Sequence, residues 1–299
     1  MSHVPVLLKE VIHYLNPQPN ENFIDATIGE AGHTMAILDK NKPNGKVLGI
    51  EINPDLFQKL QRIENEDSKL NVKERLIVVN DSYANLKEIV RNNNVQPIHG
   101  IIFDLGICSW QIESSGKGFS YQKDEPLDMR FNPNQDLTAA EIINFWEIEK
   151  IEQILREYGE ERYSHRIVVA LKEARKKERI VGTQQLVDLL KKTLPKNYDN
   201  RRIHFATRVF QALRIAVNKE LENVEEGLKQ AVQILEPKGK IIVISFHSLE
   251  DRIAKRFFKE QEKNNELQIL TKKPISPSIE EIKKNPRSRS AKLRAAQIN

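Results

Sequence analysis

Five short runs rich in Ile and Val fall at 22–28, 46–50, 75–79, 99–103 and 240–246, with helical patterns at 33–40, 54–64, 82–91 and 218–235 between most of them. No other feature constrains the fold as much. A strand that is apolar at nearly every position is buried on both faces, which requires a parallel sheet covered by helices. Strand alternating with helix predicts βαβ units. The alternation stops after Phe103. Residues 107–135, rich in Gly, Ser, Asp and Pro, read as a long loop, and 137–214 show helical periodicity without a convincing strand. The sequence therefore predicts a mostly parallel α/β sheet from 1–124 and 216–299, interrupted by an all-α insertion at 125–215. Residues 264–290 read as irregular.

Open α/β sheets bind ligands at the carboxyl ends of their strands, where strand order reverses. The first run leads into Asp25-Ala26-Thr27-Ile28-Gly29-Glu30-Ala31-Gly32-His33 and then a helix. Its glycines allow close backbone approach, and the helix start offers free amides. The spacing is not the G-x-G-x-x-G dinucleotide pattern. The second run ends in Gly49-Ile50-Glu51, whose carboxylate could accept ribose hydroxyls or cap a helix. After the third come Asn80-Asp81-Ser82-Tyr83, where Asp81 and Ser82 also make good helix caps. The fourth ends in Phe103-Asp104-Leu105-Gly106. An acid where the sheet opens onto a cleft is costly unless it has partners, so Asp104 is a site candidate.

Hydrophobic residues make up 39% and charged residues 30% of the 299, a globular balance with no apolar run long enough to span a membrane. The start MSHVPVLLKE lacks the pattern of a secretory signal. Cys108 is the only cysteine, which rules out an internal disulfide and fits a cytoplasmic location. Charge is uneven. Residues 162–214 hold 14 Lys/Arg against 4 Asp/Glu, net +10, and 283–299 carry +6 with no acid, while the remainder is −11. A single basic helix is usually a solvated face, but two basic segments on an otherwise acidic chain point to a polyanion.

The decorated strand ends, in this order, resemble the Rossmann-like class I methyltransferases. Longer strings narrow the resemblance. They are His3-Val4-Pro5-Val6-Leu7-Leu8, Phe103-Asp104-Leu105-Gly106 with Ser109 and Gln111, Gly118-Phe119-Ser120-Tyr121, and Pro126-Leu127-Asp128-Met129-Arg130. Ser245-Phe246-His247-Ser248-Leu249-Glu250-Asp251-Arg252 and the segment from Asn285 to Arg294 complete the set. Together they resemble the RsmH (MraW) family of 16S ribosomal RNA cytosine-N4 methyltransferases over essentially the whole chain, with a helical insertion in the same place. The resemblance implies S-adenosylmethionine as cofactor, contacted by Ala31, Gly32, His33, Glu51, Tyr83, Asp104 and Gln111. It implies a decoding-centre cytosine of 16S rRNA, in the small (30S) ribosomal subunit, as acceptor. The chain departs from the usual family pattern at Ala31 (mostly Gly), Glu51 (mostly Asp) and Cys108 (commonly Ser), and none of these removes a required chemical group.

Within that reading Asp104 is the first candidate for orienting the acceptor amine and His247 a second, with a packed core histidine as its rival. Asp128 and Arg130, Arg201 and Arg202 in the insertion, and Arg287 and Arg289 in the tail are candidate RNA contacts. No metal is expected, and the sequence leaves a homodimer open. Cys108 as a cytosine C5 nucleophile would need a Pro-Cys setting, so it reads as a packed small side chain. A DNA amino-methyltransferase would usually show S/D/N-P-P-Y/F where this chain has Asp104-Leu105-Gly106-Ile107. A non-catalytic RNA-binding assembly factor would bind no cofactor, and a nucleotide-dependent oxidoreductase would want the missing dinucleotide fingerprint.

Overall fold

All five apolar runs form strands: β1 (Phe23–Asp25), β2 (Val47–Ile50), β3 (Leu76–Val79), β4 (Ile98–Asp104) and β5 (Leu235–Ser245). The computed structural model describes residues 5–66, 72–195, 198 and 204–299. Two further strands, β6 (Leu267–Ile269) and β7 (Lys292–Ile298), complete a seven-stranded sheet in the order β3-β2-β1-β4-β5-β7-β6. The pairs β2–β3, β1–β2, β1–β4 and β4–β5 are parallel, while β7 runs antiparallel to both β5 and β6. Strand order reverses between β1 and β4, which places the ligand crevice of a doubly wound sheet at their carboxyl ends.

The chain divides into two compact units, Met1–Gly106 with Leu221–Asn299, and Ile107–Glu220. In the first, α1 (Leu8–Leu15), α2 (Gly32–Lys40), α3 (Pro54–Glu66), α4 (Val72–Arg75) and α5 (Leu86–Asn93) alternate with β1 to β4. Side chains alternate across a strand, so each one feeds two layers. Ile24, Leu48, Ile101, Phe103, Ile241 and Val243 face one core, with Leu86, Val90 and Phe258. Phe23, Val47, Ile102, Ile242 and Ile244 face the other, with Leu15, Ile37 and Leu60. That two-sided burial is why these runs contain almost no polar residue.

The second unit holds α6 (Ser109–Glu113), α7 (Ala139–Phe145), α8 (Ile148–Glu157), α9 (Ser164–Lys177), α10 (Thr183–Thr193) and α11 (Thr207–Asn218). It has its own apolar core, including Ile142, Ile151, Leu155, Ile167, Leu186, Leu190, Val209 and Leu213. Local signals start its helices: the Thr138 hydroxyl accepts from the Glu141 amide, and the Glu141 carboxylate accepts from the Thr138 amide. The unit begins at Ile107 rather than at 125, because the loop after β4 folds with the helices. Lys117 carbonyl accepts from Met129 N–H, and Glu125 carboxylate accepts from Gly118 N–H.

The chain returns to the sheet through α12 (Glu220–Ile234), β5, α13 (Ser248–Lys263), β6, α14 (Ile279–Lys284) and β7. Here the structure corrects the sequence reading, which took 264–290 as irregular and counted all six tail cations toward a polyanion contact. Leu293, Ala295 and Ala296 are buried in β7, and the charges flanking them are tied down. Arg294 Nε donates to Asp251 Oδ1 at 2.7 Å, and Lys292 Nζ lies 3.4 Å from Asp251 Oδ2. Two of the six tail cations therefore serve the fold. Among the described residues no helix is long and apolar enough to cross a membrane.

Burial alone would raise the Asp251 pKa, but the bond to Arg294 and the charges of Arg294 and Lys292 outweigh it and hold the carboxyl below its usual range. A lowered carboxyl pKa stabilises the fold above the unfolded value, and that stability is lost as pH falls through the folded value. Asp251→Ala is expected to cost about 2–3 kcal/mol at pH 7, because it leaves Arg294, 9% exposed, without its charged partner. Urea unfolding of the full chain checks this, and the gap between variant and wild type should narrow in acid.

Candidate active site

The polar groups of the first unit gather at the carboxyl ends of β1, β2 and β4, which the register aligns: Asp25 pairs with Gly49 and with Ile102. Asp25 is buried, and its Oδ2 accepts from Thr34 Oγ1 at 2.7 Å. Burial pushes its pKa up, against His33 and the bonds from Thr34 and Thr27, and Asp104 adds to the rise. Asp25 stood in the quoted loop but was not singled out as a site residue. Its signal was a charged residue ending an otherwise apolar run.

Beyond β1 the chain turns through Gly29 (φ 51°) and Ala31 (φ 63°) into α2. Ala31 occupies the left-handed region, which explains why glycine would suit this position. Gly32 opens α2, and a Cβ there would lie 2.3 Å from Pro5 Cγ. His33 follows in the first turn, with its side chain 6% exposed. Its Nε2 lies 3.4 Å from Asp104 Oδ2. Both ring nitrogens of His33 and Asp104 Oδ1 are buried without a hydrogen-bond partner among the described residues. Buried polar atoms of this kind are rare unless a ligand completes them. Asp104 itself is held in place: its N–H donates to Thr27 Oγ1 at 2.7 Å, and its residue pairs with Ile244 of β5.

Glu51 ends the neighbouring strand. Its Oε1 accepts from Asn53 N–H at 2.8 Å, and its carbonyl accepts from Asn80 Nδ2 at 2.7 Å. Burial pushes its carboxyl up to about 7, against backbone N–H groups of Asn53, Gly29 and Ile52, while the charge of Asp25 adds to the rise. Tyr83 follows the third strand in a short 3₁₀ turn, Tyr83–Asn85, capped by Ser82 Oγ. Its ring meets Phe103 edge-on at 5.6 Å. Asp81 and Ser82 act as turn and cap residues, the role open to them in the sequence.

His247 sits three residues past Ile244, at the N-cap of α13. Its Nδ1 accepts from Glu250 N–H at 3.5 Å, and its Nε2 lies 3.0 Å from Glu250 Oε1. Glu250 Oε2 in turn accepts the Phe246 and His247 amides. Nδ1 thus helps to start the helix, while Nε2 is buried without a hydrogen-bond partner among the described residues.

In the second unit, Gln111 Oε1 accepts from Cys108 N–H at 3.1 Å, which turns the start of α6. Asp128 and Arg130 are bound to each other: Nε to Oδ1 at 2.7 Å and Nη2 to Oδ2 at 2.9 Å. Arg130 Nη1 also donates to the Pro133 and Gln135 carbonyls. Four guanidinium N–H bonds are spent within this loop. The pair thus clasps the segment around buried Met129, whose φ is 62° and whose carbonyl accepts from Asn218 Nδ2. Lys117 Nζ, which the sequence reading passed over, is buried without a hydrogen-bond partner among the described residues. Arg201 and Arg202 lie outside the described residues. Arg287 and Arg289 are exposed on the short turn Pro286–Ser290.

The site thus gathers a helix start, the carboxylates of Asp25, Glu51 and Asp104, the Tyr83 ring and a His33–Asp104 pair with unpartnered polar atoms. The chain is 43% identical to the ribosomal RNA small subunit methyltransferase H of Thermosipho melanesiensis, over 99% of this chain and 97% of that one. It is 40% identical to the protein of that name from Persephonella marina, over 99% of each. With the one from Dehalococcoides mccartyi it shares 40% over 99% of this chain and 86% of that one. The sequence profile of the MraW methylase family matches residues 1–299, and the chain belongs to that family.

Proposed function

We propose that this chain transfers a methyl group from S-adenosylmethionine to the N4 amine of a decoding-centre cytosine in 16S rRNA, acting on the small ribosomal subunit. The observation that carries the reading is the His33–Asp104 pair at the switch point of a methylase-family sheet, whose ring nitrogens and Oδ1 are buried without a hydrogen-bond partner among the described residues. The names of the relatives support small-subunit rRNA as substrate.

S-adenosylmethionine, when bound, supplies a methyl on a positively charged sulfur, already a good leaving group. The protein's work is positioning. Glu51 accepts the ribose hydroxyls, the amides of the Gly29–His33 turn hold the cofactor's polar end, and Tyr83 offers its ring to the base. Gln111 is a further cofactor contact. Asp104 accepts an N–H of the acceptor amine, which draws the nitrogen lone pair out of conjugation with the cytosine ring and aims it at the methyl. His247, at the N-cap of α13, orients the segment after β5 through Nδ1. The target base must leave its stack, at a cost of roughly a few kcal/mol. The helical unit, with Arg201 and Arg202, and the tail residues Arg287 and Arg289 hold RNA phosphates to offset that cost.

Three measurements test this reading. Incubation with labelled cofactor and small subunits lacking the modification should label a single cytosine at N4, located by mass spectrometry. No transfer to rRNA would sink the proposal. Glu51 is protonated below about pH 7 in the free protein, and ribose hydroxyls favour its ionised form. Cofactor affinity should therefore rise with pH up to about 7 and level off above it. Glu51→Gln should flatten that profile, and Glu51→Ala should weaken binding by about 1.5–3 kcal/mol at pH 8. For Asp104→Ala, the single-turnover rate at saturating cofactor should fall by roughly 100-fold or more, and Asp104→Asn should retain more activity because it keeps one acceptor oxygen. A wild-type saturated rate in Asp104→Ala would take this residue out of the chemistry.

A further inference from the structure

Helix α13 buries Leu249, Ala254 and Phe258 against the sheet and turns a row of cations outward. Arg252, Lys255, Arg256, Lys259 and Lys263 are all exposed. Spacings of three and four residues put them on one side of the helix. The sequence reading did not isolate this row, because three acids between 252 and 273 dilute its charge along the chain.

Across from the row lies the sheet edge made by β6 and the start of the following loop. Between them is a cleft of about 250 Å³, lined by Lys255, Phe258, Lys259, Ile269, Thr271 and Lys272, with Glu262 and Arg294 at its margin. Those last two charges are already engaged: Glu262 Oε1 accepts the Ile269 N–H, and Arg294 is bound to Asp251. Lys255, Lys259 and Lys272 have no hydrogen bond or ion pair among the described residues. The cleft thus presents three uncommitted ammonium groups over an apolar floor.

We propose that this cleft and the α13 row form a docking track for the phosphate backbone of the RNA substrate. The proposal rests on the RNA-methylating function above and adds where that RNA is held. Lysines on flexible stems serve as point charges that follow a backbone without reading bases, the contact type that sets register on a nucleic acid. The geometry gives the track a direction. α13 starts at His247, just past the carboxyl end of β5, so its first turn lies on the side of the sheet where the site residues gather. At 1.5 Å per residue the row runs roughly 16 Å from Arg252 to Lys263. RNA flanking the target base can therefore be followed away from the site. The exposed side of α13 carries no aromatic or aliphatic residue for insertion into a lipid surface.

The test uses the full chain carrying Lys255→Gln, Lys259→Gln and Lys272→Gln, against a control with the same charge loss at exposed Lys9, Lys73 and Lys229. With an rRNA fragment spanning the target and with whole small subunits, the triple variant should show a log–log salt slope lower by about two. Its KM for RNA should rise about 10-fold, with kcat and cofactor affinity within twofold of wild type. A slope and KM equal to those of the control would overturn the proposal. So would a defect seen with whole subunits but not with naked RNA, since that would assign the cleft to an acidic protein. Failure of the wild-type protein to methylate rRNA would strike the functional reading instead, and the binding slopes would still report on the cleft.

Discussion

Three carboxylates, buried Asp25 and Glu51 and half-buried Asp104, stand at the ends of three neighbouring parallel strands, and gathering them side by side is the constraint around which the first unit is organised. A buried carboxylate is tolerated only with compensating hydrogen bonds or charge. The chain supplies that compensation unevenly. Asp25 receives Thr34 and the loop amides, and Glu51 receives Asn53 and its neighbours. Asp104 is fixed by its backbone to Thr27 yet keeps an unsatisfied carboxylate oxygen. The strand order makes this arrangement possible, because the reversal between β1 and β4 leaves no crossover helix above these ends.

The second unit solves a different problem. Its helices share one apolar core, to which the preceding loop adds Leu127 and Met129. The Asp128–Arg130 clasp, the Pro133 and Gln135 carbonyls it gathers, and the Asn218 bonds to Met129 and Phe131 add a polar network to that burial. A network of this type specifies one conformation, and losing one member would leave the others, half-buried, short of a partner. The Pro-Leu-Asp-Met-Arg string is legible in that light as a structural clasp as well as a family signature.

The end of the chain shows how charge statistics can mislead. Lys292 and Arg294 were counted with a basic tail, yet Asp251 draws both into the edge of the sheet. On α13, by contrast, cations that looked ordinary in one dimension become a continuous exposed row once the helix and the β6 edge bring Lys272 beside them. Net charge per segment records neither pairing nor face.

The positions of five strands along the chain, their burial on both sides, the helical insertion and the residues at the strand ends could all be read from the chain alone, whereas the order of the strands in the sheet could not. They depend on local periodicity and on the rule that buried apolar runs form parallel strands. The family resemblance likewise rested on contiguous strings. Several features were decided only by tertiary structure. Strand β7 has alternating charges and alanines of low strand propensity, and it exists because β5 and β6 offer it two ladders and Asp251 neutralises its cations. The use of His247 Nδ1 in a helix cap, and the pairing of Arg130 with Asp128, depended on partners whose geometry no spacing rule predicts. The unsatisfied state of His33 and Asp104 is a property of burial, which arises when separate strands converge and is not encoded at either position alone.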